Sequence, residues 1–238
     1  MPGTDQGLRE IEEAEETLAF WLDRKARLIL RLLEGKSVID IGCGVGSLTQ
    51  FISQAGYETT ALDTSQECLR RTKMKELRAE FVEGDICNSS SLGRRLGYFD
   101  SAVMSEVIEH LRDDELGLRN AFSLLKPNGV LIVTAPAFMF LYGQHDRNVG
   151  HQRRYTSQSL VHKLRSAGFI VEFWRYWNVP GMFGWLLASK LLRSSPNKFS
   201  FPRGSEMYDR WLGMEDHLSF PFGLTIVAKA RKPNGRTT

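Results

Sequence analysis

Between Ser37 and Trp177 short apolar runs alternate with stretches of helical period, and this alternation constrains the fold more than any other feature of the chain. SVIDI (37–41) is followed by a helical segment from Ser47 to Gln54, YETTAL (57–62) by one from Gln66 to Leu77, and that by EFVEGD (80–85). FDSAVM (99–104), a helix from Asp113 to Leu125, GVLIVTAP (129–136), a helix from Ser157 to Ala167 and FIVEFWRYW (169–177) continue the series, and LTIVAKA (224–230) supplies a last strand. Strands joined by single helices cannot pair as hairpins. They predict an α/β fold with a parallel sheet covered by helices on both faces.

Upstream of the first strand, apolar residues at 8, 11, 18, 21, 22, 28, 29, 32 and 33 mark a long amphipathic helix that Gly35 ends. Residues 1–35 therefore read as an N-terminal helical extension of one domain spanning residues 1–238, a size that one core can hold. Two stretches, residues 137–155 and 178–222, break the alternation, and both follow strands in the second half of the sheet. Ligands of open α/β sheets sit beyond the carboxyl ends of the strands. The two stretches are thus candidate pocket walls, and 178–222 reads as an insertion or lid before the last strand.

Composition serves mainly to exclude. A net charge of +3 is too small to argue for nucleic acid. Cys43, Cys68 and Cys87 contain no CxxC pair, so neither a disulfide framework nor a thiolate zinc site is indicated, and a reducing cytoplasm fits. The first residues, MPGTDQGLREIEEAEE, are acidic where a signal peptide needs a basic region. The greasiest run, VPGMFGWLLASKLL (179–192), is interrupted by Gly184, Ser189 and Lys190 and falls short of the roughly 20 apolar residues of a membrane span. No transmembrane helix is expected.

In VIDIGCGVGSL, Gly42, Gly44 and Gly46 lie between a buried strand and a helix start, where missing side chains let the backbone turn tightly and approach a ligand. The spacing is G-x-G-x-G, and Ser47 stands where a nicotinamide-binding loop would need its third glycine. Asp63 ends the second strand 17 residues after Gly46, placed to accept both hydroxyls of a ribose. Asp85 at the end of the third strand is placed to accept from an adenine amino group, with Ile86 packing on the ring. Glycine turns and acids also end ordinary strands, but here their order and spacing converge on one adenosine-like ligand.

These residues resemble motif I and the following acidic motifs of class I S-adenosylmethionine (SAM)-dependent methyltransferases, and the resemblance continues through SEVIEHL (105–111) and LKPNGVLIVTAP (125–136). It implies a Rossmann-like seven-stranded sheet of order 3-2-1-4-5-7-6 with the last strand antiparallel. SAM is then the cofactor, Asp40 orients the loop and the cofactor's ammonium, and the carbonyl of Ser105 is a further partner. Outside residues 36–136 the chain is similar to the type 11/12 group of such enzymes, through E-x-x-x-F-W-x-x-R at Glu16, Phe20, Trp21 and Arg24. The group's HD-x-x-x-GH-x-RRY run appears as His145, Asp146, Gly150, His151, Arg153, Arg154 and Tyr155, and its closing PFG as Pro221 to Gly223.

Glu106, Glu109 and His110 follow the fourth strand at i, i+3 and i+4, a spacing that shares one face if the segment is helical. The E-x-x-E-H run resembles the metal site of methyltransferases acting on small-RNA 3′ ends and of some quinone-pathway O-methyltransferases, where a distant His completes the site. Glu106, Glu109, His110 and His151 are the metal candidates, with His145 second to His151, and Mg2+ or Mn2+ suits such ligands. The competing reading is metal-free, with E-V-I-E-H capping a helix and His151 or His110 as general base; Glu106 completes the catalytic candidates. His145, Arg153, Arg154 and Tyr155 are acceptor-binding candidates, the two arginines suited to a carboxylate or phosphate. Against that stands a loop whose arginines pair with neighbouring acids.

Phe138, Phe140, Tyr142, Trp174, Trp177, Phe183 and Trp185 crowd the two irregular stretches. They suit an apolar acceptor pocket, core packing or a homodimer surface, with shallow membrane contact by residues 179–193 as a weaker reading. Together these features predict methyl transfer from SAM to an oxygen or nitrogen of a small, partly apolar, anionic metabolite or lipid-linked intermediate. The alternatives are a metal-dependent RNA 2′-O-methyltransferase, which the modest charge and lack of an RNA-binding module disfavour, and a non-catalytic SAM-binding regulator.

Overall fold

The structure, a computed structural model, describes residues 19–88, 92–187, 206–215 and 218–235. The elements are α1 (Ala19–Leu30), β1 (Ser37–Ile41), α2 (Ser47–Gln54), β2 (Glu58–Asp63), α3 (Gln66–Lys73), β3 (Ala79–Glu83), β4 (Phe99–Ser105), α4 (Asp114–Leu124), β5 (Leu125–Pro136), α5 (Gln144–Val149), α6 (Ser157–Ser166), β6 (Ile170–Trp177), α7 (Val179–Leu186), α8 (Glu206–Glu215) and β7 (Thr225–Arg231). The earlier part of the expected N-terminal helix, with Glu16, and residues 188–205 within the insertion lie outside the described residues.

One sheet of order β3-β2-β1-β4-β5-β7-β6 organises the chain. β1 pairs in parallel with β2 and β4, whereas β7 runs antiparallel to both β5 and β6. All five residues of β1 are buried, as expected of a central strand covered on both faces. Side chains alternate across it: Ile39 and Ile41 join the main core with Met104, Leu131 and Val133 under α4 and α6. Val38 points the other way, to Ile29, Ile52, Val103 and Ile132 under α1 and α2. Period-two alternation on strands and helices on both faces are one packing solution.

Local signals set the element ends. Ser65 accepts from the Cys68 N–H, Asp113 from the Leu116 N–H, and Thr156 from the Ser159 N–H, each supplying the missing acceptor at a helix start. Below the sheet, Asp100 Oδ2 accepts from the Lys36 and Ser37 N–H groups and Oδ1 takes Lys126 at 2.8 Å, tying the entry of β1 to β4 and β5. Among the described residues no helix is long and apolar enough to cross a membrane.

Glu34, just before β1, clamps the last strand: Lys229 Nζ lies 2.5 Å and Arg231 Nη2 2.8 Å from its Oε1. Hydrogen bonds from Arg231 and then Lys229 lower its pKa from 4.5 to about 2. A depressed carboxylate contributes stability above its unfolded pKa and loses it as pH falls through the folded value. The carboxylate is half exposed, so Glu34→Gln is expected to cost no more than about 1 kcal/mol at pH 7. In urea denaturation the gap between mutant and wild type should shrink at pH 3, and a gap that grows there would contradict the clamp.

Candidate active site

The carboxyl ends of β1, β2, β4, β5 and β6 open on one edge of the sheet, and the glycine loop lies there. Gly42, Gly44 and Gly46 have φ of 70°, 55° and 79°, a left-handed backbone that favours glycine. A Cβ on Gly42 would meet Val107 Cγ2 at 2.6 Å and one on Gly46 would meet Thr72 Cγ2 at 2.1 Å, while nothing lies within 4 Å of the same point on Gly44. The outer glycines admit close packing. The middle one faces open space on its Cα side, where a ligand can approach.

Asp63 fixes this loop. Its Oδ2 accepts from the Gly44 N–H at 2.8 Å and its Oδ1 from the Ser65 N–H at 2.8 Å. Both oxygens retain lone pairs for ribose hydroxyls, but the bond that shapes the loop was not foreseen from sequence. Asp40, 2% exposed, accepts from Thr49 Oγ1 at 2.7 Å and so ties β1 to α2; burial pushes its pKa up to about 6. Asp85 is exposed, with Oδ1 accepting from the Cys87 N–H. Ile86 departs from expectation: it is buried in the main core against α4, where Asn120 Nδ2 donates to its carbonyl at 2.7 Å. It does not present a face for an adenine ring. Ser105 Oγ pairs with Thr134 Oγ1 across β4 and β5 at 3.1 Å.

Residues 106–110 do not form the helix that their spacing suggested. Glu106 has φ of 56°, and the chain then makes successive turns, His110 N–H to Val107 O and Leu111 N–H to Ile108 O. Glu106 is therefore separated from the cluster that Glu109 and His110 join. Glu106 Oε1 accepts from Thr134 Oγ1 at 3.2 Å and lies 3.9 Å from Lys25 Nζ on α1. Glu109 is fully buried, and among the described residues neither of its carboxylate oxygens has a hydrogen-bond partner. Burial, then the charge of Glu106, pushes its pKa well above the carboxylate range. His110 is exposed as a residue, yet desolvation of its ring and then the nearby His151 lower its pKa to about 4, leaving a neutral imidazole.

Three of the four metal candidates do meet. One ligand atom each from Glu109, His110 and His151 lie within 4.8 Å of one another, and Glu106 stands outside that set. His151 Nδ1 sits 2.8 Å from Asp146 Oδ1 and its Nε2 3.8 Å from Glu109 Oε1. Donation from Nδ1 to the aspartate fixes the tautomer that leaves an Nε2 lone pair facing Glu109. Two orphaned buried carboxylate oxygens beside two imidazoles fit a divalent cation, since an unpaired buried carboxylate is otherwise costly.

Three of the four expected acceptor-binding residues are paired with acids of the protein. Arg154, 5% exposed, places Nε 2.8 Å and Nη2 3.0 Å from the two oxygens of buried Asp146 and stacks 4.5 Å over the Trp185 ring. Arg153 pairs with Asp114 Oδ2 at 2.9 Å and donates to Arg112 O. Tyr155, 1% exposed, donates to Asp114 Oδ2 at 2.8 Å. Each is committed to an acid, because the loop after β5 has to bury its polar groups and pairs them internally. His145 remains half-buried, edge-on to Trp185 at 5.1 Å. Asp146, unassigned in the sequence reading, joins His151, Arg154 and the Gly143 N–H, and these contacts hold its pKa well below the usual range despite burial. Lys25 was also missed, since it sat on a helix read only as packing.

The aromatic residues divide between roles. Trp177 is core, Phe138 stacks on Tyr176 at 4.7 Å, and Trp185 Nε1 donates to Leu141 O. Phe140 and Phe183 are exposed, and a groove of about 440 Å³ is lined by Val179, Pro180, Phe183, Gly184, Leu187 and Trp211.

With this geometry in place, comparison with known proteins gives concordant findings. The methyltransferase domain family matches residues 12–172. A ubiquinone biosynthesis O-methyltransferase of Caulobacter vibrioides is 33% identical over 102 residues, 42% of this chain and 40% of that protein. A probable S-adenosylmethionine-dependent methyltransferase of Mycolicibacterium smegmatis is 28% identical over 164 residues, 67% of this chain and 62% of that one. The chain thus spans less than two thirds of the length of these curated relatives. A solved Thermotoga maritima structure, described as a SAM-dependent methyltransferase and possible histamine N-methyltransferase, has a TM-score of 0.67 at 17% identity, covering 95% of this chain and 96% of that one. At that identity the likeness speaks for the fold alone.

Asp146→Ala would leave the buried Arg154 guanidinium without its partner, a loss worth about 3–5 kcal/mol. Chemical denaturation should show that drop, whereas Arg153→Ala, at a more exposed pair, should cost about 1 kcal/mol or less. Equal losses would mean that Asp146 is not the hub of this loop.

Proposed function

This chain belongs to the methyltransferase domain family, and on that premise we propose that it transfers a methyl group from SAM to a hydroxyl oxygen of a small, partly apolar acceptor. The observation that carries the reading is a juxtaposition. Gly44 lies in the loop after β1, Glu109 and His110 in the loop after the neighbouring strand β4 and His151 in the loop after β5, with Val107 packed under Gly42. A cofactor loop and a proton-handling cluster are then adjacent. The curated relative named for O-methylation in ubiquinone biosynthesis supports an oxygen acceptor.

When bound, SAM supplies an electrophilic methyl on a sulfonium, so the protein has to align the acceptor and remove a proton. The Gly44 backbone, Asp63 and Asp40 hold the cofactor, with Asp85 beside it. Without a metal, His151, oriented by Asp146, receives the proton of the acceptor hydroxyl at Nε2; in the metal-bound alternative the same nitrogen would be a ligand. Glu109, His110 and His151 are the residues that would hold Mg2+ or Mn2+, which would lower the pKa of that hydroxyl. Glu106, bonded to Thr134 and close to Lys25, shapes the wall instead of joining this set. The exposed Phe140 and Phe183 offer apolar contact to the body of the acceptor.

SAM or its demethylated product is expected to raise the melting temperature, and Asp63→Ala to abolish the shift. Absence of a shift with the wild-type protein would overturn the cofactor reading. A labelled-methyl screen of extracts, run with and without Mg2+, identifies the acceptor. Glu109→Gln preserves the shape of a protonated carboxyl, so stability should change by less than about 1 kcal/mol while turnover falls at least tenfold. Turnover that survives both this substitution and a chelator would remove the metal and leave His151 acting as base alone.

A further inference from the structure

Glu109 and His110 come from the loop after β4 and His151 from the loop after β5, so their separation is set by whatever holds one loop against the other. Within its own loop His151 is fixed by Asp146 at the ring and by the Tyr142 hydroxyl, which donates to its carbonyl at 2.8 Å. Neither contact reaches the loop after β4. The segment that follows His151 does. The Gln152 N–H donates to Glu109 O at 2.7 Å, Arg153 Nη2 donates to Arg112 O at 3.0 Å, and the Tyr155 hydroxyl lies 3.1 Å from Ile108 O. In a helix the Glu109 carbonyl would accept from the Asp113 N–H, but the turns that follow the left-handed Glu106 leave it to Gln152.

Asp114, buried at the start of α4, braces this tie from behind. Its Oδ2 accepts from the Tyr155 hydroxyl at 2.8 Å and lies 2.9 Å from Arg153 Nη1, while Lys163 Nζ of α6 donates to Oδ1 at 2.9 Å. Burial acts to raise its pKa, but the hydrogen bonds from Lys163, Tyr155 and Arg153 outweigh it and hold the carboxyl below its usual range. Groups that pass a proton or share an ion have to be held within about 0.5 Å of the productive geometry. We propose that Tyr155, braced by Asp114 and Arg153, is a positioning residue that sets the spacing between His151 and the Glu109 and His110 pair. The inference rests on the methyl-transfer reading of that cluster given above. The spacing itself shows in the edge-on contact of the His110 and His151 rings, with centroids 4.7 Å apart, which requires neither cofactor nor metal.

The experiment removes the hydroxyl alone. Nuclear magnetic resonance of the wild-type protein without added metal should show a cross-relaxation peak between the ring protons of His110 and His151. Its imidazole nitrogen shifts should show His151 protonated at Nδ1, toward Asp146. In Tyr155→Phe the nitrogen shifts should stay and the cross-peak should fade, because only the tie between the loops is cut. Affinity for S-adenosylhomocysteine by calorimetry should stay within twofold, since the glycine loop and Asp63 are untouched. Transfer of labelled methyl into extract should fall at least tenfold, toward the roughly 100-fold that a misplacement of about 1 Å costs. Arg153→Gln should weaken the same cross-peak to a smaller degree, a readout that stands if Tyr155→Phe fails to fold. A cross-peak that survives both substitutions would overturn the assignment and leave Tyr155 as core packing, whatever happens to the melting temperature. So would its absence from the wild-type protein, or a transfer rate that holds while the cross-peak fades. Failure of the wild-type protein to bind S-adenosylhomocysteine would overturn the methyl-transfer reading, and the cross-peak would still decide whether Tyr155 sets the spacing.

Discussion

The strand order around β1 is the constraint on which the rest depends. β1 hydrogen-bonds in parallel to β2 on one side and β4 on the other, so the chain leaves it first in one direction and later returns on the far side. The loops after β1 and β4 diverge from a common edge, and the crevice between them is where a ligand fits. The left-handed glycines permit the first loop to fold back on Asp63, and Gly42 admits Val107 of the second. Sheet order, loop contact and site position are a single geometric fact.

Backbone conformation along that edge reflects the same demand. Glu106, Phe138 and Asn178, which follow β4, β5 and β6, all have positive φ without being glycine. Such residues cost about 1–3 kcal/mol each and persist where surrounding contacts hold them. Thr134 bonds to Glu106, Tyr155 O accepts from the Phe138 N–H, and Glu215 Oε2 accepts from the Asn178 N–H. The chain thereby turns away from the strand direction just after each of these strands.

Charge is arranged by burial. Asp146 is surrounded by donors and stays ionised, and it holds both Arg154 and the imidazole of His151. Glu109 is buried with no donor to it among the described residues and is driven toward its protonated form. One carboxylate thus gives rigidity, while the other lies beside two imidazoles. The chemistry of the site follows from that asymmetry, which no count of acids in the sequence reveals.

The strand and helix alternation, the burial of SVIDI and the glycine loop were legible in sequence, because period-two and period-3.6 patterns and the left-handed demand of Gly42, Gly44 and Gly46 are local properties of the chain. Helix bounds such as Ser47–Gln54 follow the expected limits for the same reason. Partner choice was not legible. Arg153, Arg154 and Tyr155 looked like ligand contacts until packing set them against Asp114 and Asp146, and the Ile86 side chain is buried in the apolar core that α4 covers. Glu106, Glu109 and His110 shared a helical spacing, yet after the left-handed Glu106 the chain forms turns, and only Glu109 and His110 join His151. By itself, the sequence determined where strands, helices and the glycine turn would form. The approach of Lys25, His151 and Glu109 from separate elements was decided only in the tertiary structure, since it depends on contacts between residues far apart in the chain.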